Sequence, residues 1–421
     1  MNMPLMTPPL ATLDRPARLA RSLILKRLRQ LENGSLTLVD SEGRETFGDP
    51  QGAELAVTLT VLNGQFYTRL MLGGPNGAAE SYLEGEWACS DLTALIRLLL
   101  RNRDVLEGFG RGLAAVRSAA DWLWHALNRN TRSGSRKNIA AHYDLGNDFF
   151  RLFLDSRLMY SSALYRTGQE TLEEASEAKL RHICDKLMLT PDDHLLEVGT
   201  GWGGLAIYAA RHYGCRVTTT TLSREQYEEA QRRVAEAGLD DRVTLLLEDY
   251  RDLTGTYDKV VSVEMVEAVG HQYLDTYFRT LHDRLKPGGQ ALIQAITIDD
   301  QRYEAALNEV DYIKRYIFPG SFIPCVSVLT SSAAQAGLRL FNLEDIGASY
   351  ALTLRAWRER FEAKLDTVRA LGYDERFIRM WRFYLCYCEG GFLERAISDV
   401  HLLLTRDGAD RPQWLGQASH V

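Results

Sequence analysis

Ten consecutive residues constrain the fold of this chain more than any other stretch: Leu195-Leu196-Glu197-Val198-Gly199-Thr200-Gly201-Trp202-Gly203-Gly204 is an apolar strand that runs into glycines and then into the helical pattern LAIYAARHYG. Without a Cβ, glycine lets the backbone turn sharply at the end of a strand and lie close against a ligand. The same texture continues. The segments RVTTTTL, VTLLLE, YDKVVSVE and QALIQAIT read as short buried strands, separated by amphipathic stretches such as REQYEEAQRRVAEAGL. Strands alternating with helices predict an α/β fold built on a doubly wound, mainly parallel sheet.

Gly199, Gly201 and Gly204 satisfy the G-x-G-x-x-G spacing of dinucleotide-binding folds. The next strand, residues 216–222, ends in threonines and offers no acid for the ribose of a nicotinamide cofactor. Glu197, two positions before the first glycine, instead fits the methyltransferase form of the loop, where an acid on the first strand supports the methionine end of S-adenosylmethionine.

At 421 residues the chain exceeds what one core usually organises, so a second domain is expected. Residues 1–110 read as a smaller N-terminal α+β domain that engages lipid. Within it, 14–32 (DRPARLARSLILKRLRQLE) predicts a helix with Leu19, Leu23, Ile24, Leu28 and Leu31 on one face and basic residues elsewhere. Interfacial helices and terminal helices packed on their own domain share that pattern. Alternation over 35–72 predicts an antiparallel sheet, and the Gly-rich stretch after it leads into a helix capped by Ser90 or Asp91. Residues 111–137, with Trp122 and Trp124 among arginines, are expected to form a basic helical linker, and 138–421 the catalytic domain.

Residues 1–137 carry 17 Lys+Arg against 14 Asp+Glu, and the remainder 32 against 42, so the front of the chain is the better contact for an anionic surface. No apolar run approaches the ~18 residues of a spanning helix, and no signal-peptide pattern opens the chain. A cytoplasmic protein, peripheral at the inner membrane face, is the expectation. Six scattered cysteines show neither CxxC spacing nor a histidine doublet, which argues against a disulfide framework or a metal site. The acidic second part and the lack of a base-flipping signature argue against nucleic acid as a partner.

Several unusual strings then occur in order: Ala141-His142-Tyr143-Asp144-Leu145-Gly146-Asn147-Asp148-Phe149-Phe150, Leu158-Met159-Tyr160-Ser161, the glycine loop, Tyr250-Arg251-Asp252-Leu253, Ser262-Val263-Glu264-Met265-Val266-Glu267 and Tyr316-Ile317-Phe318-Pro319-Gly320. Over residues 137 to 405 this set resembles the cyclopropane-fatty-acyl-phospholipid synthases and mycolic-acid methyltransferases. The resemblance implies a Rossmann-like S-adenosylmethionine-dependent methyltransferase domain with inserted helices. It also implies C-methylation of the double bond of unsaturated phospholipid acyl chains, with cyclopropane, methyl or methylene products, and a homodimer is compatible with it. A cofactor- and lipid-binding protein without activity is the rival from another class.

Carried over by position, the resemblance places Tyr160 and Ser161 beside the methionine carboxylate and Gly199 and Gly201 against the sugar and sulfonium. Thr221, Leu222 and Gln226 fall at the ribose and adenine, and Asp249 and Tyr250 at the adenine edge. It further implies bicarbonate as the base, held by a cysteine, a glutamate, a histidine and a tyrosine. Glu267 and Tyr350 match two of these. Ser162 stands in place of the cysteine, Gln294 in place of the histidine, and Ala268 where a second histidine commonly follows the glutamate. These departures remove the thiol and the imidazoles from the site and raise the alternative of a built-in carboxylate, for which Glu264 and Glu389 are present. Glu267 is expected to be indispensable and Glu389 to shift the product. Phe149, Phe150, Phe318 and Phe322 are candidate linings of an apolar acyl tunnel.

Overall fold

A computed structural model describes residues 12–107 and 145–414. The linker expected at 111–137 and the first residues of the string that begins at Ala141 lie outside them. The chain divides into two compact units. One joins the N-terminal residues to Leu365–Glu394, and the other contains the remaining described residues.

In the first unit, helix α1 (Arg15–Leu28) is capped by Asp14, whose carboxylate accepts from Ala17 N at 2.8 Å. Ala17, Ala20, Ile24, Leu25 and Leu28 are buried, whereas Leu19 and Leu23 are 68% and 48% exposed. The predicted apolar face is therefore split: part of it packs inward and part faces solvent. Strands β1 (Ser35–Asp40), β2 (Gly43–Gly48), β3 (Ala56–Val61) and β4 (Trp87–Cys89) form a sheet in the order β2-β1-β3-β4. The sheet is mixed rather than antiparallel, because β1 and β3 run parallel. Residues 65–72 also depart from the expected strand. They open helix α2 (Gln65–Leu83), whose regular path breaks at Gly74, with φ +58°, and Pro75. Of the two candidate caps, Asp91 takes the role, accepting from Ala94 N at the start of α3 (Leu92–Arg101).

The helix Glu375–Leu393 belongs to this first unit, so the expected single division near residue 137 does not describe the packing. Gly390 explains the fit, since a Cβ there would lie 2.8 Å from Ile96 Cγ2, and the Phe383 ring sits 5.7 Å from that of Tyr82.

The second unit contains the predicted sheet, made of β5 (His194–Val198), β6 (Arg216–Thr220), β7 (Val243–Leu246), β8 (Tyr257–Val263), β9 (Leu285–Ile298), β10 (Arg339–Asp345) and β11 (Ile397–Thr405). Their order is β10-β11-β9-β8-β5-β6-β7. The run from β9 to β7 is parallel, and β11 joins β9 and β10 antiparallel. Because β5 has β6 on one side and β8 on the other, the chain winds away in both directions and leaves a crevice at the carboxyl ends of these strands. No helix among the described residues is long and apolar enough to cross a membrane.

Candidate active site

The glycine loop leaves β5 at that crevice. Gly199 has φ +105° and Gly201 φ +52°, and a Cβ on Gly201 would meet no atom within 4 Å. Bare backbone facing open space is what a closely held ligand needs, so the loop fits the implied cofactor. Beneath it, Glu197 is buried and accepts from Thr219 Oγ1 at 2.6 Å. Desolvation pushes its carboxyl up to about 8.

The segment before the sheet is shaped by buried Asp155, whose carboxylate accepts from Met159 N at 2.7 Å and Arg157 N at 3.2 Å while Leu158 turns through φ +56°. This presents Tyr160, Ser161 and Ser162. Ser161 Oγ accepts from Lys179 Nζ at 2.7 Å, a contact absent from the sequence reading. The Tyr160 ring lies 5.2 Å from Phe150, 5.3 Å from Trp357 and 6.4 Å from Phe318. Phe149 and Phe322 are buried in the same unit.

After β6, Thr221 Oγ1 donates to Gln226 Oε1 at 2.9 Å, and Leu222 follows it half-buried. Beyond β7, both oxygens of Asp249 accept from Arg251, at 2.7 and 2.6 Å, so much of its accepting capacity is already used. The buried Tyr250 hydroxyl meets no hydrogen-bond partner among the described residues.

Three of the groups expected to hold bicarbonate, Ser162, Gln294 and Tyr350, converge on a carboxylate of the chain itself. Glu264 follows β8 in the left-handed region, with φ +47°, its N–H donating to Gln294 O at 2.9 Å. Its Oε1 accepts from Ser162 N and from Gln294 Nε2, both at 2.8 Å, and its Oε2 accepts from Tyr350 OH at 2.6 Å. Ser162 contributes its backbone, since its hydroxyl donates to Ala163 O at 2.9 Å. Gln294 Nε2 also donates to Asp399 Oδ2 at 2.8 Å, and Gln294 Oε1 lies 3.1 Å from His401 Nε2. Burial raises the carboxyls of Glu264 and, more strongly, Asp399; Tyr350, Ser162, Lys179 and Gln294 oppose the shift at Glu264.

Glu267 stands apart from this bonding set. Its Oε1 accepts from Ile296 N at 2.6 Å, its Oε2 has no partner among the described residues, and desolvation together with the charge of Glu264 pushes it up to about 8. Glu389 belongs to the first unit, where Thr93 Oγ1 donates to it at 3.2 Å. These contacts give no support to the product-shifting role expected for it.

Asp399 and His401 were also missed. Two ionisable residues two positions apart, and so on one face of the mostly apolar β11, were the available signal. His182, Glu344 and His401 cluster within 4.8 Å. Lys186 Nζ already lies 2.8 Å from Glu344 Oε2, so an ammonium supplies the positive charge there.

Residues 130–402 match the family model of the mycolic acid cyclopropane synthetases. The chain belongs to that family. It is 38% identical over 404 residues to the tuberculostearic acid methyltransferase UfaA1 of Mycobacterium tuberculosis, covering 93% of each chain. It is 39% identical over 353 residues to the cyclopropane-fatty-acyl-phospholipid synthase of Escherichia coli, covering 83% of this chain and 87% of that one. Among solved structures it is similar to the mycolic acid cyclopropane synthase CmaA1 complexed with SAH and CTAB, with a TM-score of 0.61 and 30% identity over 64% of this chain and 98% of that one. Membership of the cyclopropane synthase and fatty acid methyltransferase family makes the chain an S-adenosylmethionine-dependent methyltransferase.

Proposed function

We propose that the enzyme methylates a double-bond carbon of an unsaturated acyl chain in a phospholipid and then removes a proton from the resulting cation. The observation that carries this reading is the aromatic wall of Phe150, Tyr160, Phe318 and Trp357, with Tyr350 6.1 Å from Trp357 and bonded to Glu264. S-adenosylmethionine, when bound, supplies an electrophilic methyl group. The glycine loop, Tyr160, Ser161, Thr221, Leu222, Gln226, Asp249 and Tyr250 hold it, and Glu197 supports the loop from below. Aromatic faces suit both partners of the reaction: they solvate an apolar chain, attract a developing cation and exclude water that would trap it.

Cyclopropane closure is the first reading of the product. A methyl- or methylene-branched chain is the second, favoured by the replacement of the bicarbonate-holding thiol and imidazole by Ser162 and Gln294 and by the 93% coverage of both chains in the match to the tuberculostearic acid methyltransferase. Exposed Leu19 and Leu23 on α1, among exposed Arg15, Arg18, Lys26 and Arg27, support a peripheral membrane contact by the first unit. The test is mass spectrometry and NMR of lipids from a host expressing the chain. A gain of one CH2 per modified chain is expected, and NMR separates cyclopropane from methylene. Unaltered lipids would overturn the reading.

A further inference from the structure

We propose that Glu264 is the base of the reaction, a carboxylate built into the position where relatives of this type are expected to hold a free bicarbonate. The proposal deepens the C-methylation reading and rests on it. Ser162, Gln294 and Tyr350, three residues placed by resemblance around the anion, all donate to Glu264. A carboxylate and bicarbonate present the same planar O–C–O acceptor edge. An ionised carboxylate offers about four acceptor sites, and with three filled, one on Oε2 remains to take a proton.

Geometry separates Glu264 from the other buried acids. Three donors favour its ionised form, whereas Glu267 receives one and leaves an oxygen unpartnered. Its backbone is also unusual, since a φ of +47° is costly for a side chain that has a Cβ and persists only where surrounding structure holds it. The orientation of the Gln294 amide follows from its neighbours. Two carboxylates, Glu264 and Asp399, face its nitrogen, and reversing the amide would point its oxygen at both. With its proton on Nε2, His401 donates to Gln294 Oε1 and leaves only a lone pair at unpartnered Nδ1. Gln294 thus donates to Glu264 rather than competing for its proton.

The step balances without a co-reactant. The methylated acyl cation loses a proton from the new methyl group or from the neighbouring chain carbon. The electrons of the broken C–H bond form the third cyclopropane bond or a new C=C bond. Glu264 becomes a neutral carboxylic acid, and its proton passes to water before the next turnover.

The test uses the full chain, methyl-labelled S-adenosylmethionine and vesicles of monounsaturated phosphatidylglycerol, assayed with bicarbonate removed or restored. The parent rate should not respond to bicarbonate. Glu264→Gln should lower turnover by about 10²- to 10⁴-fold, with cofactor affinity by calorimetry within a few-fold of the parent. Glu264→Gly suits the positive φ and frees the three donors, so it should be inactive alone and regain activity when bicarbonate is added. A parent that is active but slows without bicarbonate overturns the proposal and leaves the functional reading standing. So does a Glu264→Gln variant at parental rate, or a Glu264→Gly variant equally active with no anion. A parent that labels no unsaturated phospholipid overturns the reading and the proposal together.

Discussion

Lys179 Nζ donates to Ser161 Oγ at 2.7 Å, which places a fully buried cation directly behind the segment assigned to the cofactor's carboxylate. Burial lowers the Lys179 pKa, and the charges of Glu264, Asp155, Asp399 and Glu197 oppose that shift. One ammonium therefore offsets part of a concentration of buried acids and orients a hydroxyl at the same time. Lys179→Met should destabilise the fold by about 3–5 kcal/mol, the range for removing one partner of a buried ionic set. It should also weaken S-adenosylmethionine binding. Thermal denaturation and calorimetry on the same sample check both effects, and an unchanged melting temperature would mean that the acids are neutral without it.

Gly201 gives a sharper test of the cofactor site, because its surroundings in the protein are open: a Cβ would touch nothing within 4 Å. The change Gly201→Ala therefore costs only the left-handed conformation, roughly 1–2 kcal/mol of stability. Any larger effect falls on the ligand. Affinity for S-adenosylmethionine is expected to drop about tenfold or more, equivalent to about 1.4 kcal/mol, as measured by calorimetry on protein shown by its melting curve to be folded.

These sites differ in how far the sequence disclosed them. Strand, glycines and helix at 195–204 are local, so their geometry was readable from residue order, and the parallel sheet followed from alternation. Residues 65–72 were misread because an apolar run suits strand and helix alike. Asn63-Gly64 looks like a hairpin turn but opens α2, where Asn63 Oδ1 accepts from Gln65 N at 3.0 Å. An amphipathic pattern at 375–393 shows that a face is buried but not which unit buries it. Glu264 was visible as an acid, yet its positive φ and the three donors that reach it from separate segments are tertiary facts.

Buried acids also make stability depend on pH, with a definite sign. Glu197 and Glu267 are each pushed from 4.5 up to about 8, chiefly by desolvation. The folded state then keeps these protons up to about pH 8, while the unfolded chain releases them near its ordinary value. Their contribution is fully present below that value and is lost as pH rises through the folded pKa. The melting temperature should accordingly fall between about pH 5 and pH 8.5. Glu267→Gln removes one such proton, so the variant should gain on the parent as pH rises, by about 1–2 °C for each kcal/mol recovered. Parallel curves for variant and parent would show that Glu267 ionises normally.

The last prediction concerns α1, which uses Ala17, Ala20, Ile24, Leu25 and Leu28 for its own unit and leaves Leu19 and Leu23 in solvent. These two leucines are four residues apart and share a face. Inserting each into an interface would stabilise binding by about 1.5–3 kcal/mol if it became fully buried. Arg15, Lys26 and Arg27 are exposed nearby, and each cation close to an anionic lipid surface adds about 1 kcal/mol. Binding to phosphatidylglycerol vesicles should therefore weaken as salt rises above ~0.1 M, where charges beyond about 10 Å are screened. The double change Leu19→Ser and Leu23→Ser should weaken it further at every salt concentration without lowering the melting temperature, because neither side chain contributes to the core. Sedimentation of the parent and the variant with vesicles, in a salt series, separates the two contributions. Equal binding of both proteins would remove α1 from the contact, and binding by the parent to neutral vesicles that ignores salt would leave the basic residues without a role.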